Sequence, residues 1–327
     1  MTSDLPLNYD PVPYLEQINE PWIKYNIKRI QNKENSKEFK ELIQNPRIQS
    51  LVDECINWPD PPLKRHNDAK HPIHKIGVLA DLGLDIRDEW IKALTGLIIR
   101  HRSEDGFFLS NIEMPEKWGG RGTGELTWFL CDTPILIYSL QKFGINNEYT
   151  QEATRMLVWL AENNGWRCRG ENQNFKGPGK KVDYCPYANL IALKALSLSD
   201  YRDTDAVRNG IDSHILQWEN RNSGRIRLFG IGSTFKKLKY PNVWYDILHV
   251  VEVLSRYPYA LEYQQFWEMW EIIKKKQSSG GAFVPESIWR AWSDWSFGQK
   301  KEPSPWMTLR ILEIADRIKQ HSQINND

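Results

Sequence analysis

Three cysteines, three aspartates and a histidine are the residues of this sequence whose types and spacing suit chemistry. Cys131 is followed by Asp132, Asp183 and Cys185 form a D-x-C pair, Cys168 stands 17 residues before Cys185, and Asp246 precedes His249 by three. Thiolate, imidazole and carboxylate are the donors that zinc takes, four in a closed site and three where one position is kept for water or substrate. Cys131, Cys168 and Cys185 with Asp246 meet that count, and His249 and Asp183 are reserves for the same site. Zinc held in this way could activate a thiolate or water, or polarise a carbonyl. The competing reading is packing, because cysteine is among the most buried residue types and behaves as a small hydrophobe.

Asp246, His249 and Asp132 are the candidate catalytic groups. A spacing of three puts Asp246 and His249 on one helix face, as an acid–base pair or a ligand pair. The alternatives are a core histidine and two aspartates that cap helices, a role that contributes about 1 kcal/mol each. His71 and His74 open another helix and could reach the same mouth. Trp128, Tyr187, Trp244, Tyr245 and Trp306 could present ring faces to a ligand or a cation, or fill the core. Lys180, Lys181 and Arg121 lie in the glycine-rich stretches FKGPGKK and GGRGTGEL, neither of which has the spacing of a phosphate-cradling loop.

These groups meet only if repeated helices bring them together. Four Gly-aromatic turns recur at intervals of 57 to 59 residues, at Gly106, Gly165, Gly224 and Gly281. After each comes a polar loop and then a helix apolar on nearly every side: WFLCDTPILIYSLQKFG, CPYANLIALKALSLSD, WYDILHVVEVLSRYP and PWMTLRILEIADRI. Such helices must be surrounded by protein. Their partners, among them DEWIKALTGLIIRHRS and YTQEATRMLVWLAENN, show apolar residues at i, i+3, i+4 and i+7 and form an outer layer. Two weaker units precede these, which makes about six inner and at least five outer helices. GRIRLFGIG is the one β-like segment, read as a loop edge. Aligning the inner helices on Leu140, Leu196, Leu254 and Leu312 brings Cys131, Cys185 and Asp246 to one level, and the Gly165 turn lets Cys168 fold back over it.

The hairpin length, the Gly-aromatic turns and the closing run GGAFVPESIWRAWSDWSFGQKKEPSPWMTLRIL resemble the α/α-toroid group of prenyltransferase and squalene-oxidase repeat proteins. The DP-x-P-Y-L start, GWRC and EPSPWMTLRIL resemble a subfamily of similar length whose members are mostly uncharacterised. The resemblance implies an all-α (α/α)6 toroid, one domain over 1–327, with an atypical hairpin over 1–65 and repeats over 66–320. It further implies an enzyme of isoprenoid-type substrates, a transferase or cyclase with an apolar ligand in an aromatic cavity and zinc at its mouth. A zinc-dependent peptide-modifying enzyme and a non-catalytic peptide-binding toroid are the alternatives. D-x-C at 183–185 is similar to the zinc motif of protein prenyltransferase β-subunits, with Asp246 or His249 where those have a later histidine. The D-x-D-D acid of squalene-type cyclases and the Cys-His-Gly run of lanthionine-forming toroids are absent from the sequence.

Bulk composition narrows the classes. Forty-three basic against 42 acidic residues leave a net charge of +1 with both signs interspersed, which excludes an electrostatic footprint for nucleic acid. No apolar run approaches the roughly 20 residues of a membrane span. The start lacks a basic region followed by an apolar stretch, so the expectation is a cytoplasmic protein with reduced thiols. Fifteen Trp, 13 Tyr and 11 Phe exceed what a plain helical core requires, which is what directs attention to a cavity.

Overall fold

A computed structural model describes residues 5–33, 35–173, 175, 184–223 and 229–324. Asp183, Lys180, Lys181 and the Gly224 turn lie outside the described residues. The chain packs as two compact units, Pro46–Gln217 and, from both chain ends, Met1–Asn45 with Trp218–Asp327. The unit built from both ends opens with α1 (Val12–Glu16), α2 (Pro21–Ile30) and α3 (Ser36–Ile43). The central unit holds α4 (Pro46–Asp53), α5 (Pro72–Leu82), α6 (Glu89–Arg100), β1 (Ser110–Glu113), β2 (Gly124–Thr127), α7 (Thr133–Lys142), α8 (Glu148–Trp159), α9 (Pro186–Leu196) and most of α10 (Asp205–Glu219). α11 (Ile247–Leu254), α12 (Pro258–Leu261), α13 (Gln264–Lys274) and α14 (Pro305–Ile324) complete the first. The fold is thus mostly helical, and among the described residues no helix is long and apolar enough to cross a membrane.

Inner and outer helices differ as their sequences require. All 11 residues of α9 and all 8 of α11 are buried. On α6 the buried set is Ile91, Leu94, Thr95 and Ile98, on α8 it is Thr150, Ala153, Thr154 and Leu157, and on α13 Phe266, Met269, Trp270 and Ile273. Each set is one i, i+3, i+4, i+7 stripe, so each outer helix buries one face and leaves the other to water. A fully buried Leu, Ile or Phe contributes about 1.5–3 kcal/mol, which makes these stripes the main hold on the outer layer. Asp88 starts α6 by accepting from the amides of Trp90 and Ile91, and Asn147 starts α8 in a reciprocal capping box with Thr150.

In the central unit α5 lies beside α7 and α7 beside α9. One buried polar cluster crosses all three: Tyr138 donates to Asp81 Oδ1 at 2.8 Å, and Lys194 Nζ lies 3.6 Å from Asp81 Oδ2 and 4.5 Å from the Tyr138 ring centroid. A buried charge must be paired, so Asp81 and Lys194 fix the helix register as well as each other. In the unit built from both ends, α14 packs against α2 and α11. Glu252, 1% exposed, draws Arg256, Arg310 and Arg317 to Oε1 at 2.5, 3.3 and 3.6 Å. Gln277 accepts from the amides of Asn8 and Tyr9 and returns its own N–H to Tyr9 O, which ties the chain start to the segment after α13.

Three of the four repeated turns are described, and they share one geometry. Gly106, Gly165 and Gly281 have φ of 87°, 87° and 83°, a left-handed conformation that disfavours a side chain. In each the glycine N–H donates to the carbonyl three residues back, Ser103, Glu162 or Ser278. The aromatic that follows (Phe107, Trp166, Phe283) is fully buried. The two-stranded sheet is a departure from the sequence reading, which assigned no strand there. Ser110–Glu113 and Gly124–Thr127 carry no β-branched alternation, and their pairing, Ser110 with Thr127 through Glu113 with Gly124, comes from tertiary context.

At Gly165 a Cβ would sit 2.1 Å from Asn189 Oδ1, whereas at Gly96, exposed within α6, it would meet nothing within 4 Å. Gly165→Ala should therefore lower unfolding free energy by about 2 kcal/mol or more, and Gly96→Ala should raise it by roughly 1 kcal/mol. Urea titrations followed by far-UV circular dichroism measure both, and equal effects would contradict the turn geometry.

Candidate metal centre

The inner helices begin alike and use their first residues differently. α5, α7 and α9 each carry proline within their first two positions, where the missing N–H has no helical partner to lose. The residue before each helix, His71, Asp132 or Cys185, therefore stands at a helix mouth; Asp246 stands there for α11. His71 Nδ1 accepts from the Ile73 amide at 3.2 Å, and Asp246 accepts from the His249 amide at 3.0 Å. Both are ordinary caps. Asp132 makes no cap and turns to the His66 imidazole instead, its two oxygens 2.9 and 3.1 Å from Nδ1.

The thiols are gathered by backbone pairing. Leu130 N–H donates to Arg169 O at 2.9 Å and Glu171 N–H to Trp128 O at 3.1 Å, on either side of an antiparallel bridge between Phe129 and Gly170. That register sets Cys131 opposite Cys168. Cys185 N–H donates to Trp166 O at 2.8 Å, and Asn189 Nδ2 donates to the same carbonyl at 3.2 Å, so the third cysteine is tied two residues from Cys168. Glycine is required at 170, since a Cβ would come 2.4 Å from the Phe129 ring. The three sulfurs all lie within 4.8 Å of one another. Cys131 and Cys185 are buried and Cys168 is partly open. Cys55 is elsewhere and fully buried, its thiol directed at Leu51 O and pushed up by burial to about 12.

Proton sharing among the three is unequal. Cys185 is held well below the usual thiol range by contacts from the Cys131 and Cys168 thiols, helped by the amides of Ala188 and Tyr187 at the start of α9. Cys131 is pushed well above that range by its contacts with Cys168 and Cys185 and by burial. At Cys168 the contact with Cys131 lowers the thiol, but the contact with Cys185 and burial outweigh it and raise it. A cation among the three sulfurs would favour ionisation of them all. Three sulfur donors suit a soft or borderline ion such as zinc and not calcium or magnesium. At a Zn–S length of about 2.3 Å, tetrahedral sulfurs stand about 3.8 Å apart, which small side-chain rotations here would reach.

His66, a residue the sequence reading did not single out, completes the surroundings. Burial disfavours its charged form, but the Asp132 carboxylate and the nearby Cys185 raise its pKa overall. The expected candidates His71 and His74 hold the loop that carries it: His71 Nε2 donates to Pro61 O at 2.7 Å and His74 Nε2 to His66 O at 2.8 Å. Burial depresses both, His74 to about 4, so they serve as neutral donors. No motif marks His66; its contacts with Asp132 and with His74 reveal it.

A cavity of about 430 Å³ adjoins the trio on the side of Cys168. Trp128, Met156, Trp159 and Leu160 give it an apolar wall, and Arg169, Gly170, Glu171, Asn172 and Gln173 a polar one. Of the five aromatic residues expected at a ligand, Trp128 lies here. Tyr187 and Trp306 are wholly buried, and Trp244 and Tyr245 pack on Phe229 at centroid distances of 5.4 and 5.8 Å. Asp246 and His249 belong to the unit built from both chain ends and are not among the grouped ligand atoms. His249 Nδ1 donates to Trp244 O at 2.8 Å. The chain matches no protein-family model, and no curated protein matches it.

Burial lifts the Asp246 carboxyl to about 7, against the opposing pull of the His249 amide and Lys239. A folded-state pKa above the unfolded value of 3.8 means stability that is fully present below that value and lost as pH rises through 7. Asp246→Asn keeps the cap and cannot ionise. It should match the wild type near pH 4 and exceed it by about 2–4 kcal/mol at pH 8. His74 acts in the opposite sense, destabilising the fold as pH falls from 6.5 toward 4. Urea titrations of both proteins across this range, compared at each pH, give the readout; a constant difference would refute the assignment.

Proposed function

We propose that this chain is a zinc enzyme of the α/α-toroid group, in which Cys131, Cys168 and Cys185 hold the ion and a substrate thiol, its proton lost to solvent, attacks carbon of an apolar, isoprenoid-like donor, so that a C–S bond forms as the donor's C–O bond breaks and its leaving group departs as an anion. The observation that carries the reading is the sulfur trio itself, mutually within 4.8 Å, with its partly open member on a cavity wall. Three protein ligands leave a tetrahedral ion one position for substrate. Zinc bound there would keep a substrate thiol as its thiolate, the form that attacks carbon.

The chain's own residues do the rest. Cys131 and Cys185 wall off the inner side, and Cys168 faces the cavity. Met156, Trp159 and Leu160 offer apolar surface for the donor. His71 and His74 fix the backbone that brings His66 to Asp132, which leaves that buried carboxylate compensated beside the thiols. The toroid reading draws support from the neighbouring inner helices α5, α7 and α9. Four free cysteines suit a reducing, cytoplasmic setting. Trp159, 69% exposed on the cavity wall, favours a second reading, a docking cleft without turnover.

Purified protein should contain one zinc per chain, and cobalt in its place should show a thiolate-to-cobalt charge-transfer band. Cys131→Ser, Cys168→Ser and Cys185→Ser should each lose that band or shift it, and Cys55→Ser should leave it intact. Protein from zinc-supplemented cells that carries no metal and takes up no cobalt would sink the proposal.

A further inference from the structure

Three thiols mutually within 4.8 Å can react with one another as well as with an ion. Access to them is unequal. Cys131 and Cys185 are 4% and 7% exposed, whereas Cys168 is partly open and lines the cavity of about 430 Å³. A dissolved oxidant therefore meets Cys168 first, and the other two sulfurs stand behind it. An accessible thiol poised next to a second one is the arrangement in which oxidation stops at a disulfide and does not run on to sulfinic acid. Cys55 has neither property, being fully buried and outside the group.

The backbone pairing selects the partner. Phe129 faces Gly170 and Leu130 N–H is bonded to Arg169 O, so the next pair in register is Cys131 with Cys168. Facing residues of antiparallel segments hold their Cβ atoms about 4.5–5.5 Å apart, near the roughly 3.5–4.5 Å that a disulfide spans. Little backbone movement is then needed to join them. Cys185 stands apart from this pairing, at the start of α9 with its amide on Trp166 O.

We propose that the trio is also an oxidative modification site, at which a peroxide joins Cys168 to Cys131 and so dismantles the metal centre. The Cys168 sulfur attacks the peroxide O–O bond; a sulfenic acid forms, and the departing oxygen leaves as water with the thiol proton. The Cys131 sulfur then displaces the new hydroxyl, so that an S–S bond forms as the S–O bond breaks, and a second water carries off the Cys131 proton. The thiol pair gives up two electrons and the peroxide takes them. The inference rests on the proposed function in one respect, that zinc is what the reduced trio holds: the disulfide leaves Cys185 as the one remaining sulfur donor, too few for the ion. Thiol reductants reverse the bond, which makes the site a redox switch on metal content.

The test exposes the full chain, reduced and freed of metal by chelation, to hydrogen peroxide, then alkylates it in denaturant and maps its peptides by mass spectrometry. Cys131 and Cys168 should be linked, Cys55 and Cys185 alkylated, and dithiothreitol should restore all four thiols. Cys168→Ser should lower bond formation at least about tenfold, because the oxidant then meets only buried sulfurs. Brief alkylation of the native wild-type chain, which reaches Cys168 first, should do the same without a substitution. Zinc-loaded chain should release one zinc per bond formed, followed with a chromogenic chelator. Cys168 that ends as sulfinic acid, a bond that excludes Cys131, undiminished bond formation after Cys168 is replaced or blocked, or zinc kept by chain that carries the bond overturns the inference. A chain that takes up no zinc yet forms the bond overturns the metal reading and leaves the oxidation site standing.

Discussion

The short antiparallel pairing of residues 128–130 with 169–171 is the constraint on which the site depends. Two hydrogen bonds, Leu130 N–H to Arg169 O and Glu171 N–H to Trp128 O, set Cys131 against Cys168 although 37 residues separate them in the chain. A slip of one residue would turn every side chain of the segment to the other face and scatter the thiols. The register is held from both directions. Phe129 lies so close over Gly170 that no other residue fits, and the Gly165 turn, closed on Glu162, delivers Trp166 to the amide of Cys185.

Around this pairing the packing is divided between layers. Inner helices contribute burial on all sides, and α5, α7 and α9 carry proline in their first two positions; the outer helices α6 and α8 bury a single stripe and are started by Asp88 and Asn147. The consequence for chemistry is that the residue before an inner helix is free for other use. Where it caps its own helix, as His71 and Asp246 do, it is used up in structure. Asp132 and Cys185 stand at the same position, and their side chains reach across to His66 and to two thiols.

Burial makes this arrangement costly without a cation. Three cysteine sulfurs and the Asp132 carboxylate lie together with one imidazole beside them, so ionising a thiol here adds negative charge near a buried carboxylate. A bound divalent ion would relieve it, which is the physical link between the packed cluster and the proposed enzyme. The wall that shapes the cavity also leaves the Trp128 indole N–H without an acceptor beside the groups suited to reaction.

Periodicity alone determined the helices. The i, i+3, i+4, i+7 stripes of α6, α8 and α13 and the uniformly apolar α9 and α11 were legible because helix burial is a local property of spacing. The turns at Gly106, Gly165 and Gly281 were legible because a left-handed φ favours glycine wherever it occurs. The convergence of Cys131, Cys168 and Cys185 was also within reach, since aligned helix starts place two of them and the turn places the third. What a side chain at a helix start does was not legible: Asp132 and Asp246 look equivalent in sequence, yet one pairs with a distant histidine and the other caps. The pairing of His66 with Asp132 joins positions 66 residues apart, and the β1–β2 hairpin pairs strands that carry no β pattern of their own; both depend on packing that the local sequence does not encode, and tertiary structure alone decided them.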